Sequence, residues 1–194
     1  MPTRGSPVEA EPVPAAPSSR DRILQAAHDL FYREGIRATG IDRVIAQAGV
    51  TKVTFYRQFP SKDELILEFL EFRHERWMRW FKEALARHGG TPAAVVPALR
   101  EWLGGPHYRG CAFINSVGEL GPALPGVVDA ARRHKADMTE AVAGLLPAGR
   151  GRAALARAIA LAIDGAIVQA QYLPSAEAAL EPLGLLLKSA ARVA

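Results

Sequence analysis

The 194-residue sequence lacks several features that would point to an exported or membrane protein. It contains a single cysteine, Cys111, so no internal disulfide can form, as is typical of proteins in a reducing cytoplasm. No segment reaches the roughly 18 consecutive apolar residues that a membrane helix needs. Residues 1–17 include five prolines and no apolar run of signal-peptide length. We therefore expect a cytoplasmic protein with no membrane partner, and we interpret residues 1–17 as a disordered N-terminal arm.

Patterns typical of metal sites and catalytic sites are also missing. His107, Cys111 and Glu119 do not have the spacing of a known zinc site, and no pair of histidines supports one. A nucleophilic cysteine would need a base whose position nothing in the sequence specifies. We therefore expect no metal, no cofactor and no enzymatic activity. A redox role for Cys111 stays open, because thiol reactivity depends on pKa and exposure.

What the sequence does contain is the pattern of a short helix followed by a sharp turn, over residues 39–49. Apolar side chains recur at helical spacing from Ile41 to Ala48. Thr39 is the expected N-cap, and Gly49 is expected at the corner, because such a turn needs the positive φ that glycine adopts readily. A second helix after this glycine would complete a helix-turn-helix.

The second helix has a composition suited to the major groove of DNA. Three positive charges and no negative charge lie between Thr51 and Lys62, in a chain whose net charge is only +4. Short donors and acceptors and a phenol accompany these cations. The alternative is a solvated helix hairpin without a role in nucleic-acid binding. The candidate DNA contacts are Thr39, Arg43, Thr51, Lys52, Val53, Thr54, Tyr56, Arg57, Gln58 and Lys62.

A set of residues between about Ser18 and Leu70 matches a known family pattern. These residues are Ile23, Ala26, Ala27, Leu30, Phe31, Gly35, the run Ala48-Gly49-Val50, the run 54–59 (TFYRQF) and the run 61–65 (SKDEL). In them the sequence resembles the N-terminal domain of TetR-type (TetR/AcrR) transcriptional regulators. The small residue that many helix-turn-helix proteins place four before the turn glycine is Ile45 here, so the two helices are expected to cross slightly further apart.

The resemblance implies an all-α fold with three regions. These are the arm over residues 1–17, a three-helix helix-turn-helix domain over 18–64, and a helical ligand-binding and dimerisation domain over 65–194. It also implies a homodimer that binds a palindromic double-stranded DNA operator and that a small, largely apolar effector releases. Within the DNA-binding domain, Tyr56 and Lys62 would grip the DNA backbone, while the face around Lys52, Val53 and Thr54 would read base edges.

The candidate ligand-binding residues combine aromatic side chains with a few polar ones, as small-molecule pockets do. The stretch 109–115 (RGCAFIN) is similar to one in the ligand domain of some TetR-type proteins, and Asn115 and Glu119 are spaced to face one side of a helix. A plain core is the alternative for the aromatic residues. The full set is Trp77, Phe81, Trp102, Cys111, Phe113, Asn115, Glu119, His134, Met138 and Asp164.

The last two helices are the expected dimer interface. The segment after Arg152 is apolar almost all round, so it must be covered on several sides, and Asp164 within it should be paired or near solvent. The final segment contains Pro182, which predicts one kinked helix or two short ones. The candidate interface residues are Leu155, Ile159, Ile163, Ile167, Leu183, Leu186 and Leu187.

Two other functions remain open at this point. One is a ligand-independent structural DNA-binding protein, for which small molecules would leave DNA affinity unchanged. The other is a helical enzyme that uses Asn115, Glu119 and His134.

Overall fold

The computed structural model describes residues 16–190, and within that range it contains only helices and the loops that join them. The all-α fold is therefore confirmed. The arm predicted for residues 1–17 lies almost wholly outside the described residues and stays a prediction. The elements are α1 (Ser19–Glu34), α2 (Ile41–Ala48), α3 (Lys52–Gln58), α4 (Lys62–Arg87), a 3-10 turn (Pro92–Ala94), α5 (Val95–Leu103), α6 (Ala112–Leu120), α7 (Pro125–Ala143), α8 (Arg152–Gln169) and α9 (Ala176–Ala190).

The first three helices form one unit around a small aromatic and aliphatic core. Ser18 caps α1 in a reciprocal capping box with Asp21, which satisfies amides that the first helical turn leaves without partners. Three turns of α1 bury one face against α2, α3 and α4. Phe55 of α3 is completely buried in this core, so α3 is held with its opposite face outward.

The start of α2 differs from the prediction. Its N-cap is Gly40, which has no side chain to accept a capping hydrogen bond. Thr39 is completely buried, and its hydroxyl donates to the Gly35 carbonyl at 2.7 Å. The predicted N-cap was therefore wrong, because this hydroxyl closes the turn between α1 and α2 instead. The inward orientation also removes Thr39 from the surface on which a DNA contact would have to lie.

Helix α4 connects the N-terminal unit to the rest of the molecule. Its 26 residues span about 40 Å at 1.5 Å per residue. Near its start, Phe69 packs edge-to-face against Phe31 of α1, with ring centroids 5.5 Å apart. Further along, Trp77 and Phe81 are buried against the C-terminal helices. A displacement of α6 or α7 against α4 would therefore reach the N-terminal unit.

The structure shows whether the segment around Pro182 forms one helix or two. Helix α9 continues through this proline from Ala176 to Ala190 as one element. Within the described residues, no helix is both long enough and apolar enough to cross a membrane.

Helix α8 exposes a different face from the one predicted for the dimer. Ile159, Ile163 and Ile167 are buried in the protomer's own core, as are Leu183 and Leu187 of α9, and Leu155 is half-buried against that core. Of the predicted set, only Leu186 is well exposed, at 58%. The isoleucines fill the space against α7 and α9, and a row of small and larger apolar residues remains on the outside. We call that row the α8 stripe: Ala154, Ala158, Leu161, Gly165 and Val168 of α8, with Tyr172 in the turn that follows.

Candidate nucleic-acid interface and effector site

The exposed face of α3 is the first candidate site, and local sequence fixes its position. Gly49 adopts φ 61° and ψ 42°, the left-handed conformation that lets the chain turn sharply between α2 and α3. Thr51 then caps α3 by accepting from the Thr54 amide at 3.2 Å. At the other end, Arg20 of α1 donates to the Gln58 carbonyl at 3.2 Å and lies over the Phe59 ring. Helix α3 is thus anchored at both ends.

Several of the predicted DNA contacts have partners within the protein. The Thr51 and Thr54 hydroxyls lie 3.0 Å apart and share a hydrogen bond. Lys52 is 3.5 Å from Asp42, and both side chains are largely exposed, so this ion pair is weak. Arg43 forms a two-point ion pair with Glu34. Val53, Tyr56 and Arg57 project from α3 as exposed side chains.

The N-terminus of α4 follows the end of α3 after three residues. Ser61 caps α4 by accepting from the Glu64 amide at 3.1 Å. Lys62, the first residue of α4, donates to the Ile36 carbonyl at 2.7 Å and is half-buried. Burial lowers the pKa of Lys62, and the carboxylates of Glu119 and Asp63 oppose that shift. Lys62 therefore holds the turn after α1 as well as placing a positive charge at a helix N-terminus.

Glu119 of α6 does not point into a ligand site. Its carboxylate accepts hydrogen bonds from the Ile36 and Arg37 amides, both at 2.9 Å. These amides belong to the turn between α1 and α2. Because Lys62 binds the carbonyl of the same Ile36, the turn is held on both sides of one residue. The predicted ligand role of Glu119 is replaced by a link between α6 and the helix-turn-helix unit.

A second link joins α1 to the loop before α6. The Tyr32 hydroxyl donates to the Gly110 carbonyl and accepts from the Arg109 amide, each at 3.0 Å. Arg73 of α4 lies over the Tyr32 ring at 4.0 Å, and its guanidinium is 3.2 Å from His28 Nε2. Since arginine only donates, that His28 nitrogen accepts, and burial lowers the pKa of His28, which favours the neutral ring.

The second candidate site is an aromatic cluster among α4, α5, α6 and α7. Trp77 stacks on Phe81 with centroids 4.6 Å apart and meets Trp102 edge-to-face at 5.4 Å. His134 stacks on Phe113 at 3.8 Å and lies 5.0 Å from Trp77. Among the described residues, Trp77 Nε1 is the buried side-chain donor without a hydrogen-bond partner. Such an orphaned donor is unusual in a protein core and is available to a ligand or a water molecule.

A pair of histidines borders this cluster. His134 Nδ1 and His74 Nδ1 are 3.2 Å apart, so one of the two nitrogens carries the shared proton. His74 Nε2 lies 3.3 Å from Asp137. Burial lowers the pKa of His134 to about 2, and the Lys135 cation adds to the shift. No group of three or more potential metal ligands occurs in the part of the chain that is described.

The family of the chain follows from its similarity to known proteins. The family model described as bacterial regulatory proteins, tetR family, matches residues 23–69, which run from α1 into α4. A TetR-family transcriptional regulator from Streptomyces coelicolor, of known crystal structure, is 31% identical over 90% of this chain and 94% of that chain, with a TM-score of 0.77. This chain belongs to the TetR family.

Other relatives of this TetR-family chain match less of it or are more distant. An uncharacterized HTH-type transcriptional regulator from Lactococcus lactis is 26% identical over 108 residues, which is 53% of this chain and 55% of that protein. The chain thus spans about half the length of that curated relative. The multidrug binding protein EbrR, solved with malachite green, is 24% identical over 88% of this chain and 98% of EbrR, with a TM-score of 0.66, and shares the fold.

The predicted ligand residues of this TetR-family protein are only partly brought together. Trp77, Phe81, Trp102, Phe113 and His134 form the aromatic cluster, and Met138 is buried in the core. Trp80, Tyr108 and His74, which are outside the predicted ligand set, also belong to this cluster. The signal for His74 and Trp80 was their position three residues from Trp77 on the same helix. Tyr108 lies in the loop between α5 and α6, where helical spacing gives no such signal.

The remaining candidates have other contacts. Asn115 donates to the Arg109 carbonyl at 2.9 Å and so shapes the loop before α6. Asp164 is paired with Lys135 at 2.5 Å, which confirms that this carboxylate is not isolated. Cys111 is buried at the N-cap position of α6. Asn115, Glu119 and His134, the three residues of the enzyme hypothesis, each have a different set of partners and do not converge on one point.

Proposed function

We propose that the protein is a homodimeric transcriptional repressor that binds a palindromic DNA operator and is released by a small, largely apolar effector. The observation that supports DNA binding is the anchored helix α3, whose outward face carries Lys52, Val53, Tyr56 and Arg57 and no carboxylate. A helix held in this way after a sharp turn is the usual reader of a major groove. The proposed partner implies a cytoplasmic location.

The α8 stripe supports the dimer. Its five positions within α8 are spaced alternately four and three residues apart, which is the spacing of a seam between two packed helices. Ala158 and Gly165 would let two helix backbones approach closely, while Leu161, which is 75% exposed in the protomer, would be buried between them. Leu185 and Leu186 extend the apolar surface onto α9. Two copies related by a twofold axis would present two α3 helices to a palindromic site.

The aromatic cluster supports an effector site. Its rings are already in contact, so an aromatic effector would have to separate Trp77 of α4 from His134 of α7 or from the Phe113 ring beside it. Phe113 lies on α6, and the same helix holds the turn after α1 through Glu119. Separation of the rings would thereby move the helix-turn-helix unit. We propose residues 18–64 as the DNA-binding domain and residues 65–194 as the effector and dimerisation domain.

Fluorescence anisotropy with labelled duplexes from the DNA flanking the protein's own gene tests DNA binding. We expect the double variant Lys52→Ala, Arg57→Ala to bind more weakly and to reduce the slope of log K against log salt, because two cations of the proposed interface are lost. The matched control is Arg79→Ala, Lys82→Ala, which removes two exposed cations from α4. An equal loss in both double variants would contradict the assignment of α3.

The effector is tested with malachite green, the compound bound in the EbrR structure. We expect it to quench the fluorescence of the three tryptophans and to release the labelled duplex at the same concentration. Trp77→Phe keeps an aromatic ring but removes the orphaned donor, and it should weaken both effects equally. Quenching without release would favour the ligand-independent structural DNA-binding protein over the repressor.

A further inference from the structure

The large exposed apolar side chains of this protein are confined to two surfaces of the described residues. Five of them, Leu161, Val168, Tyr172, Leu185 and Leu186, lie on the proposed dimer surface. The other two are on α3, where Val53 is 79% exposed and Tyr56 is 41% exposed. Val53 is thus the most exposed of the seven, and it lies on the surface proposed to face DNA.

Packing within the protomer does not account for Val53. Phe55, two residues further on, fixes α3 in the core, and the hydroxyls of Thr51 and Thr54 bond to each other on either side of the valine. A β-branched residue is also a poorer helix former than alanine or lysine in a seven-residue helix. Isolated exposed valines are ordinary on protein surfaces. What sets Val53 apart is its place at the second position of the proposed recognition helix.

The neighbours of Val53 limit what that surface can recognise. Tyr56 and Arg57 are three and four residues further on, so they share its side of the helix, and Lys52 precedes it. The Thr51 and Thr54 hydroxyls already share one hydrogen bond. Val53 offers neither a donor nor an acceptor. The apolar group that a base edge presents in the major groove is the C5-methyl group of thymine.

We propose that Val53 is a specificity-determining residue that contacts the methyl group of a thymine in each half of the operator. This inference rests on the proposed function, because it requires α3 to enter the major groove. Residues at the N-terminus of a recognition helix reach base edges first, and Val53 is in that position. Discrimination at this base pair therefore depends on the burial of a methyl group and involves no hydrogen bond from residue 53.

The test first selects, with the full-length protein, the tightest-binding duplexes from a library with 26 randomised base pairs. In the selected duplex, each thymine is then replaced singly by uracil, which removes only the methyl group. We expect one symmetric pair of uracil substitutions to weaken binding by about fourfold per half-site, or roughly 15-fold for the pair, from the burial of one methyl group on each side. Uracil at the other thymines serves as the control.

The variant Val53→Ala completes the test. Because Val53 is exposed, the variant should fold normally, and its uracil penalty should be smaller than that of the parent, since alanine reaches less far toward the methyl group. An undiminished uracil penalty in Val53→Ala, or the absence of any penalty at every thymine, would overturn the inference while leaving DNA binding intact. If the selection yields no duplex that binds above background, the proposed function itself fails.

Discussion

The carboxylate of Glu119 shows how much one residue contributes to the connection between the two halves of the chain. It accepts from the Ile36 and Arg37 amides, which follow α1 and have no helical acceptor. A buried or half-buried amide that loses its acceptor raises the free energy of the folded state, because water satisfied it in the unfolded chain. The side chain of Glu119 therefore stabilises a turn that lies 82 and 83 residues earlier in the sequence.

For Glu119→Ala, we expect the free energy of unfolding to fall by about 1–3 kcal/mol, since two amides lose a charged acceptor. Urea denaturation followed by circular dichroism measures the change. Glu83→Ala, which removes an exposed carboxylate from α4, should stay within about 0.5 kcal/mol of the parent. If both variants lose the same stability, Glu119 is not holding the turn.

His134 makes stability depend on pH. Its pKa is about 2 in the folded protein and 6.5 in the unfolded chain, so the unfolded state binds the extra proton between those values. The stabilisation is complete above pH 6.5 and is lost as the pH falls. We expect the stability advantage of the parent over His134→Gln to shrink by about 2 kcal/mol between pH 7 and pH 5.

Urea titrations of both proteins at the two pH values measure this difference. His107→Gln provides the control, because His107 is exposed. An advantage that stays constant over this pH range would mean that His134 is not kept neutral by burial.

The roles of single residues were only partly predictable from the sequence. Asn115 and Glu119 are spaced to share one side of a helix, which is local information, and they were grouped as ligand contacts for that reason. The partner of Glu119 lies far away in the sequence, and helical periodicity carries no information about such a contact. The aromatic cluster was found more completely, because ring size and burial go together.

At the scale of elements, the turn between α2 and α3 could be predicted well, because it depends on adjacent residues. Gly49 supplies a backbone conformation that other residues adopt at a cost, and Thr51 supplies a cap. The face of α8 could not be chosen in the same way. That helix is apolar on nearly every side, so its periodicity does not distinguish the isoleucines that fill the core from the stripe that remains outside.

The left-handed conformation of Gly49, between α2 and α3, can be tested by substitution. A Cβ atom at Gly49 would meet no neighbour within 4 Å, so a substitution there changes only the backbone strain. We expect Gly49→Ala to lower the free energy of unfolding by about 1 kcal/mol, and Gly49→Asn to lower it less. Urea denaturation measures both.

Gly118 offers the matched control. It also has open space around a would-be Cβ, but it lies inside α6 with ordinary helical geometry. Gly118→Ala should therefore raise stability by about 0.5–1 kcal/mol, since alanine loses less conformational freedom in a helix. A loss of stability in Gly118→Ala as large as that in Gly49→Ala would exclude backbone strain as the cause.

At the scale of the whole molecule, the α8 stripe would set the arrangement of the two recognition helices in the proposed dimer. Leu161→Glu places a charge at the centre of that stripe, at a position that is 75% exposed in the protomer. We expect this variant to be monomeric in analytical ultracentrifugation at micromolar concentration, because burying an unpaired carboxylate in the interface is costly. Its affinity for a palindromic duplex should fall accordingly.

Lys82→Glu is the control, since Lys82 is exposed on α4. It should keep the association state of the parent. A dimeric Leu161→Glu variant would place the twofold interface on a different surface.

Three of the side chains that hold the helix-turn-helix unit in place share one property. Glu119, Lys62 and Tyr32 all meet main-chain atoms across that boundary or within the turn beside it. Position 35 beside this boundary has little room for a side chain, because a Cβ atom there would lie 3.3 Å from the Glu119 carboxylate. A DNA-binding domain taken from another family member and grafted onto this body would therefore have to keep glycine at position 35 and tyrosine at position 32.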